Sequence, residues 1–580
     1  MSAGRALRRA ANCRQARGAL PRAIIPDHQV IARCVSRPAF MSGAIAGSRR
    51  SRETAWMSDS LAVRLDRAIA ALPRSYPGPG GAVAVLREGE VLVRHAWGYA
   101  NAERRIPFTP RTLFRMCSVT KQFTCAAVLA ECGDPALLDP AIRARLPLLP
   151  EAPAARFLCH NQSGLRDYWA VAMLHGSPAD AAFGDAESAR VIAGTRSLHF
   201  AQGTRYSYVN QNFRLLGDAL EDHAGRSFAE LLRRHVFDPS GMETAFLAAD
   251  TRATPDGTEG YEALAAGGYL PAANNILWTG DAGLGASLDD MIAWERHIDA
   301  KRDDPASLYA RLAAPVTFTN GSPAPYGFGL SRGTEFDRAI IGHGGALRGW
   351  RSHRVHVPSE RVSIVVLFNS LADAGAATIE LLGVVLDEKR PEPDASRLAP
   401  DWLGAWREPE TGLAVRIDSA KPGQVRLRFG HGVAEYLDLQ ADGSATNGRT
   451  RLHAASDGFW MDRPQENFGS RLIPRQGEPA RDIAGRYRCA ELDAELHIAD
   501  AGGALYGGFT GHLGQSRMEQ LEPVGIDLWA LPCWRALDHT PPGDWTIAVR
   551  REGGRVTGIE LGCWLARRLS YERVGSGGAP

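Results

Sequence analysis

Lysine is scarce in this chain of 580 residues. Only Lys121, Lys301, Lys389 and Lys421 occur among 67 basic residues, and the rest are arginine. Arginine stays protonated in proteins, whereas the pKa of a lysine, ordinarily about 10.4, falls with burial and nearby positive charge. Each lysine therefore raises the question of whether it must lose its proton, with an ordinary surface position as the alternative.

Cysteine pairs and cofactor motifs are also missing. The nine cysteines are odd in number and scattered, without a CxxC pair. This argues against a structural zinc and against a disulfide framework. No HExxH, GxxxxGK[ST] or strand-linked GxGxxG motif occurs. We expect chemistry without a metal or cofactor, and cysteine usage of this kind suits a reducing, cytoplasmic compartment.

The chain lacks a charge excess and a long apolar run. The 67 basic residues nearly balance 65 acidic ones, which gives no general electrostatic reason to bind nucleic acid or an anionic membrane. The longest apolar run is Val362 to Phe368, far short of the roughly 20 residues that span a bilayer. We therefore expect neither a nucleic-acid partner nor a membrane span.

Residues 1–56 differ from the rest in composition. They hold 11 arginines and only two acids, Asp27 and Glu53, with weak periodicity and no uninterrupted apolar segment of a secretory signal. We expect this segment to be disordered. A transit peptide is one interpretation; we favour an extension upstream of a true start at Met57, where the first convincing helix opens.

The pattern from residue 57 to 388 predicts an antiparallel sheet covered by helices, an α+β fold. An amphipathic helix follows Ser60 and ends near Pro73, and two alternating runs joined around Glu88 and Gly89 indicate a β-hairpin. Residues 114–288 have the character of helices and loops. Strands return at Tyr326 to Leu330, Ala339 to Gly342, Trp350 to Val357 and Val362 to Phe368.

The C-terminal third predicts two small antiparallel β-barrel domains. A charged, proline-bearing linker at residues 387–394 precedes short alternating segments with Gly, Asn and Pro turns. A similarity at an 81-residue offset, between the stretches that start at Gly404 and Gly485, suggests two modules. We place them at residues 396–476 and 480–575.

Ser118 and Lys121 lie three residues apart at the start of a predicted helix, in CSVTK. A serine hydroxyl is a weak nucleophile until a base removes its proton, and a lysine on the same helical face can do so as the free amine. The helix N-terminus adds N–H groups for an acyl oxyanion. Four lysines give an SxxK match by chance often enough that a capped amphipathic helix is the alternative.

Two further stretches carry candidate site residues. Tyr208 and Asn210, in YSYVN, lie where a loop passes into a helix, so a phenol can shuttle a proton while an amide holds the substrate or the lysine. His343, Gly345 and Ala346 follow a predicted strand, where glycine allows a substrate backbone to approach. The N–H of Ala346 can then face that of Ser118 as the second oxyanion donor.

In order and spacing, these boxes resemble the SxxK, YxN and KTG or HxG boxes of the serine penicillin-recognising enzymes, the family of the class C β-lactamases. The resemblance covers about residues 60–385. It implies a β-lactamase-like or penicillin-binding-protein-like fold and an acyl-enzyme on Ser118, and CHNQSGL, GDAGLGASLDDMIAW and YGFGL support it. The box here is HGG, so the hydroxyl of KTG is missing.

The chain is most similar to bacterial D-aminopeptidases, from Met57 to Val574, through SVTKQFTC, NQSGLRDYWA, YSYVNQNFR, HGGALRGWR and GCWLAR. That resemblance implies release of N-terminal D-residues from short peptides, amides and esters, a homodimer, and β-lactams as inhibitors. It also implies a loop from the last domain in the cleft. Residues 531–545 are our candidate for this loop, Asp538 for the ligand of the substrate ammonium, and Arg351 for a cleft-facing arginine.

Alternatives stay open at this level. An esterase or β-lactam hydrolase would keep the same serine chemistry on another substrate. A non-catalytic scaffold would keep the fold alone, and the intact boxes argue against it. A solvated loop residue is the competing interpretation of Asp538, and a surface strand residue that of Arg351.

Overall fold

The computed structural model describes residues 60–253, 255–430, 434–533 and 543–575. The predictions for residues 1–56 fall outside these ranges. Within them, no helix is both long and apolar enough to cross a bilayer.

The region before residue 390 contains twelve α-helices and thirteen strands in its described part. The helices are α1 (Leu61–Ser75), α2 (Thr120–Cys132), α3 (Asp139–Arg145), α4 (Ala155–Cys159), α5 (Tyr168–Leu174), α6 (Asp185–Ala193), α7 (Asn210–Ala224), α8 (Phe228–Leu232), α9 (Asp238–Ser240), α10 (Leu288–Ala300), α11 (Leu308–Ala313) and α12 (Ala374–Leu386). The strands are β1 (Gly80–Arg87), β2 (Glu90–Asn101), β3 (Ile106–Pro107), β4 (Phe114–Arg115), β5 (Phe246–Leu247), β6 (Tyr261–Ala263), β7 (Tyr269–Pro271), β8 (Leu284–Ala286), β9 (Tyr326–Gly327), β10 (Leu330–Glu335), β11 (Arg338–Leu347), β12 (Trp350–Val357) and β13 (Val362–Phe368).

The central sheet is antiparallel and has eight strands in the order β3-β2-β1-β13-β12-β11-β10-β9. Strand β1 is buried on both faces, because Ala82 and Ala84 pack into the core that contains α2 and α10 while Val83 and Val85 pack against α1 and α12. The predicted sheet covered by helices is therefore confirmed.

The local sequence accounts for the start and the buried face of helix α1. The Ser60 hydroxyl accepts a hydrogen bond from the N–H of Val63, and Leu65, Ile69 and Leu72 form one buried face. The helix continues through Pro73 to Ser75. The prediction that it ends near Pro73 is thus short by two residues, because a proline in the last turn removes only one backbone donor.

The predicted strand from Tyr326 to Leu330 is interrupted, since Tyr326 and Gly327 form β9 and Leu330 begins β10. The chain turns there between β9 and β10, with φ of 50° at Phe328 and 74° at Gly329. A Cβ on Gly329 would lie 2.3 Å from the carbonyl carbon of Lys121. This turn therefore packs directly on the backbone of α2, and only glycine fits.

Strand β11 is longer than the predicted run from Ala339 to Gly342. It extends to Leu347 and includes His343 and Gly345. Strands β12 and β13 have the predicted bounds.

The C-terminal region forms two antiparallel sheets. The strands of the first are β14 (Gly404–Arg407), β15 (Ala414–Ser419), β16 (Gln424–Phe429), β17 (Glu435–Leu439), β18 (Ala445–Thr446), β19 (Arg451–Ala455), β20 (Gly458–Arg463) and β21 (Phe468–Pro474). Those of the second are β22 (Gly485–Cys489), β23 (Ala494–Ala501), β24 (Ala504–Gly511), β25 (Gly514–Gln515), β26 (Glu519–Gln520), β27 (Glu522–Gly525), β28 (Leu528–Leu531), β29 (Trp545–Glu552), β30 (Arg555–Cys563) and β31 (Ala566–Arg573).

The first sheet closes into an eight-stranded barrel, and the second is a ten-stranded half-barrel. The interior of the closed barrel is built from alternating residues such as Val415, Ile417, Val425 and Leu427. Helix α5 packs against β23 and β24, so a helix from the region before residue 390 covers part of the half-barrel core. The boundaries that we assign to the domains remain predictions.

A buried ion pair joins the central sheet to α10. Arg354 on β12 donates two hydrogen bonds of 2.7 Å to the carboxylate of Glu295, and both side chains are fully buried. The hydroxyl of Ser363 on β13 adds a third donor at 2.8 Å.

Replacing Glu295 with alanine is expected to lower the free energy of unfolding by roughly 3–5 kcal/mol, because it leaves the Arg354 guanidinium buried without its carboxylate. Urea denaturation measures the loss. Glu495 is the control, since it pairs at 2.7 Å with the exposed Arg486, and its change to alanine should cost less than about 1 kcal/mol. Equal losses in the two variants would contradict the assignment.

Candidate active site

Ser118 lies in a turn of 3₁₀-helix, Cys117–Val119, that joins β4 to α2. Cys117 has a φ of 50°, a left-handed conformation that is uncommon for a residue with a side chain. Such conformations persist where surrounding contacts hold them. Here the hydroxyl of Ser352 on β12 donates a hydrogen bond of 2.8 Å to the carbonyl of Met116.

Gly345 allows β11 to approach this turn. A Cβ at Gly345 would lie 2.2 Å from the carbonyl oxygen of Met116 and 2.3 Å from the Oγ of Ser352. Any side chain would therefore push the strand away from the turn that carries Ser118. The last glycine of the HGG box is therefore a packing requirement as well as a place for substrate backbone.

Lys121 is fully buried one turn after Ser118. Its Nζ lies 2.9 Å from the Oγ of Ser118, 2.9 Å from the Oδ1 of Asn210 and 2.7 Å from the carbonyl oxygen of Asp281. An amide oxygen and a backbone carbonyl only accept hydrogen bonds, so they take two of the amine's N–H groups. In the free-base form the remaining lone pair then faces the serine hydroxyl.

Aromatic rings enclose the lysine. Its Nζ lies 4.9 Å from the ring centroid of Tyr208 and 5.4 Å from that of Phe213. The rings of Tyr208 and His343 are 6.0 Å apart. The structure thus brings together Ser118, Lys121, Tyr208, Asn210 and His343 from three separate stretches of sequence.

His343 is held as a neutral imidazole. Burial, and then the charge of Lys121, lowers the pKa of His343 to about 3. Its Nδ1 lies 2.6 Å from the carbonyl oxygen of Gly344, which requires a proton on Nδ1. The Nε2 therefore accepts the hydrogen bond from the hydroxyl of Tyr326, at 2.9 Å.

The edge of β11 beside this cluster is available for a substrate strand. Pairing with β10 runs from Arg338 to Gly342, while pairing with β12 continues to Leu347. Among the described strands, none pairs with the β10-side edge after Gly342. The N–H of Ala346 lies in this segment, and its role as oxyanion donor stays a prediction.

Arg351 lies on β12, one residue after the turn that joins β11 to β12. Its Nη1 donates hydrogen bonds to the carbonyls of Leu347 at 2.7 Å and Trp350 at 2.8 Å. The cleft-facing role that the resemblance implies for Arg351 stays a prediction.

Asp538 and most of the loop from 531 to 545 lie outside the described residues. Asp538 stays a prediction.

Sequence reasoning missed three residues that contact the site. Tyr326 binds His343, the carbonyl of Asp281 binds Lys121, and the carboxylate of Asp167 binds Asn210 at 2.7 Å. All three lie in stretches that support the resemblance, namely YGFGL, GDAGLGASLDDMIAW and NQSGLRDYWA. The signal was thus present, but nothing in a single sequence assigns these residues a partner.

Two sequence profiles of known families match this chain. The sequence profile described as "Beta-lactamase" matches residues 65–385, and the profile described as "D-aminopeptidase, domain B" matches residues 395–572. A D-aminopeptidase of Gluconobacter oxydans (strain 621H) is 58% identical over 528 residues, which is 89% of this chain and 100% of that protein. The chain belongs to the D-aminopeptidase family.

A second relative agrees with this membership in the D-aminopeptidase family. A D-aminopeptidase of Brucella canis is 45% identical over 512 residues, 88% of this chain and 98% of that protein. Among solved structures, the octameric penicillin-binding protein homologue from Pyrococcus abyssi is 19% identical with a TM-score of 0.49, over 78% of this chain and 99% of that chain. The resemblance inferred from the boxes is confirmed.

The buried state of His343 in this D-aminopeptidase family member predicts a pH dependence of stability. A histidine in an unfolded chain has a pKa of about 6.5, above the value of about 3 in the fold. As the pH falls, the His343 ring therefore takes up a proton in the unfolded state before it does so in the folded state. The contribution of His343 to the free energy of unfolding is complete above pH 6.5 and is lost as the pH falls toward 3.

We compare the drop in the free energy of unfolding from pH 7.5 to pH 5.0 in the two proteins. We expect this drop to be about 1–2 kcal/mol smaller in the His343→Gln variant than in the unaltered protein. Urea denaturation at both pH values measures the difference. The same pH dependence in both proteins would contradict a neutral, buried His343.

Proposed function

We propose that this chain is a serine aminopeptidase that releases N-terminal D-residues from short peptides, amides and esters through an acyl-enzyme on Ser118. The observation that carries the proposal is the position of Lys121, whose Nζ lies 2.9 Å from the Oγ of Ser118 and also bonds two neutral acceptors, the Oδ1 of Asn210 and the carbonyl oxygen of Asp281. Membership in the D-aminopeptidase family supplies the substrate class.

Acylation begins when Ser118 attacks the carbonyl carbon of the N-terminal D-residue. The hydroxyl proton passes to the free amine of Lys121, and the carbonyl becomes a tetrahedral oxyanion. The N–H groups of Ser118 and Ala346 stabilise that oxyanion, the first at the start of α2 and the second on the free edge of β11. Each element is rigid, so the donors need no reorganisation.

Release of the leaving group requires a proton on the departing amine. The ring of Tyr208 lies beside the Nζ of Lys121. Its phenol gives a proton to the departing amine and takes one from the Lys121 ammonium, which becomes a free amine again. His343, neutral and hydrogen-bonded by Tyr326, contributes a fixed dipole beside Tyr208 and not a titrating acid. A water molecule then attacks the acyl carbon and gives its proton to Lys121. The ester bond to Ser118 breaks, the Oγ of Ser118 regains a proton from Lys121, and the D-amino acid leaves.

Selectivity for a free N-terminus needs a negative charge over the cleft. We assign this role to Asp538, on the loop between β28 and β29, because a carboxylate pairs with the substrate ammonium while the loop excludes longer N-terminal extensions. The HGG box lacks the hydroxyl of KTG. One donor for a substrate carboxylate is thus missing, which favours an aminopeptidase over a carboxypeptidase. A homodimer and inhibition by β-lactams belong to the same proposal.

The decisive experiment compares hydrolysis of the p-nitroanilides of D-Ala, L-Ala and N-acetyl-D-Ala. We expect turnover of the free D-amine only, because the site needs both the ammonium and the D configuration. Cleavage of the acetylated substrate, or of a simple ester with neither D-compound cleaved, would replace this function by that of an esterase or β-lactam hydrolase of the same fold. A chain that a fluorophosphonate probe fails to label at Ser118 would be a scaffold.

Matched variants assign the residues. Ser118→Ala should lower kcat by about 10⁴-fold or more, and Lys121→Arg by about 10²- to 10⁴-fold, because guanidinium cannot serve as the base. Lys301→Arg is the control, since Lys301 is exposed at the end of α10. Asp538→Asn should raise KM for the free D-amine, while a fluorophosphonate probe still labels Ser118.

A further inference from the structure

Asp167 is a buried carboxylate that no step of the proposed reaction uses. It is 1% exposed and immediately precedes α5. Its Oδ1 accepts hydrogen bonds from the N–H groups of Trp169, at 3.1 Å, and Ala170, at 3.4 Å. Its Oδ2 accepts from the N–H of Asn210, at 2.7 Å, and from the Nδ2 of the same residue, at 3.1 Å. One carboxylate thus caps the first turns of α5 and α7.

This arrangement fixes which way the Asn210 amide points. An ionised carboxylate only accepts hydrogen bonds, so the amide must present its NH₂ group to Asp167. The Oδ1 is then turned toward Lys121, at 2.9 Å from Nζ. A reversed amide would place a donor against the lysine amine and would compete for the lone pair that the serine proton needs.

The half-barrel holds Asp167 from the other side. The N–H of Asp167 donates to the carbonyl of Leu565, at 2.9 Å, and the Nε of Arg166 donates to the carbonyl of Arg567, at 3.0 Å. Arg166 also pairs with Glu491, at 2.8 Å. Since α5 packs into the half-barrel core, the segment before α5 is fixed between two parts of the fold.

We propose that Asp167 is a positioning residue, which orients the Asn210 amide so that Lys121 faces Ser118 with its lone pair, and which the half-barrel holds in place. The inference rests on the proposed function, because it assumes that Lys121 is the base. It assigns the half-barrel a role in catalysis that is separate from any loop over the cleft.

The test is Asp167→Asn in the full chain, with D-Ala p-nitroanilide as substrate. An asparagine has nearly the same shape and still caps α5, but it no longer requires the NH₂ group of Asn210. We expect kcat to fall at least 30-fold with KM within threefold, while a fluorophosphonate probe still labels one Ser118 per chain. The loss would then lie in proton transfer and not in binding or in the number of folded sites.

The pH profile separates positioning from a structural role. Removing a buried negative charge near Lys121 disfavours its protonated form, so the acidic limb of kcat should move to lower pH. Tyr208, His343 and Asp281 also surround the lysine, and Arg166 and Arg214 lie on the Asp167 side. All of these groups are the same in the variant and the unaltered protein.

Two controls keep the inference falsifiable. Asp373→Asn makes the same change at the N-cap of α12 and should leave kcat and the acidic limb unchanged. If Asp167→Asn does not fold, Asp167→Ser keeps a capping hydroxyl for α5 that is too short for Asn210, and the same results are expected.

Two outcomes would overturn the inference. One is a kcat within threefold of that of the unaltered protein. The other is a loss of activity that only follows a loss of labelled sites, with the acidic limb unmoved. The proposed function fails separately, since it would require the unaltered protein to leave D-Ala p-nitroanilide intact.

Discussion

The structure depends on one buried amine. A lysine far from water is costly to protonate, and the N–H groups of its neutral amine still need acceptors. The fold supplies these acceptors from two elements, the start of α7 at Asn210 and the loop before β8 at Asp281. It places Ser118 in the 3₁₀ turn that leads into the helix of Lys121. The turn at Gly329 closes over the backbone of Lys121. The base is thus held next to the nucleophile by contacts to both its side chain and its backbone.

The modules after residue 390 support the site from its rim. The closed barrel binds the segment that leads into Tyr208, since the carbonyl of Glu466 accepts from the N–H of Tyr206 at 3.4 Å, and Asn467 donates to the carbonyl of Thr204 at 2.8 Å. The half-barrel binds the segment that leads into α5, at Asp167. The long C-terminal region therefore stabilises two of the loops that carry site residues.

Much of this could be predicted from the sequence, and the exceptions have a common cause. Periodicity gave α1, the first hairpin, β12 and β13, and the SxxK and YxN spacings located Ser118 and Tyr208, because these signals are local. The break at Phe328 and the partners of Asp167 depend on contacts between residues distant in sequence. The strand-like pattern at 326–330 is interrupted because Gly329 packs on the backbone of α2.

The most direct test of the account is the protonation state of Lys121. With only four lysines in the chain, protein labelled with ¹³Cε-lysine gives a small set of signals, and Lys121→Arg identifies the relevant one. We predict that at pH 7.5 this signal is that of a neutral amine, where an ordinary lysine is protonated. A Lys121 signal that stays in the protonated form throughout the pH range of activity would contradict a lysine base and the mechanism built on it.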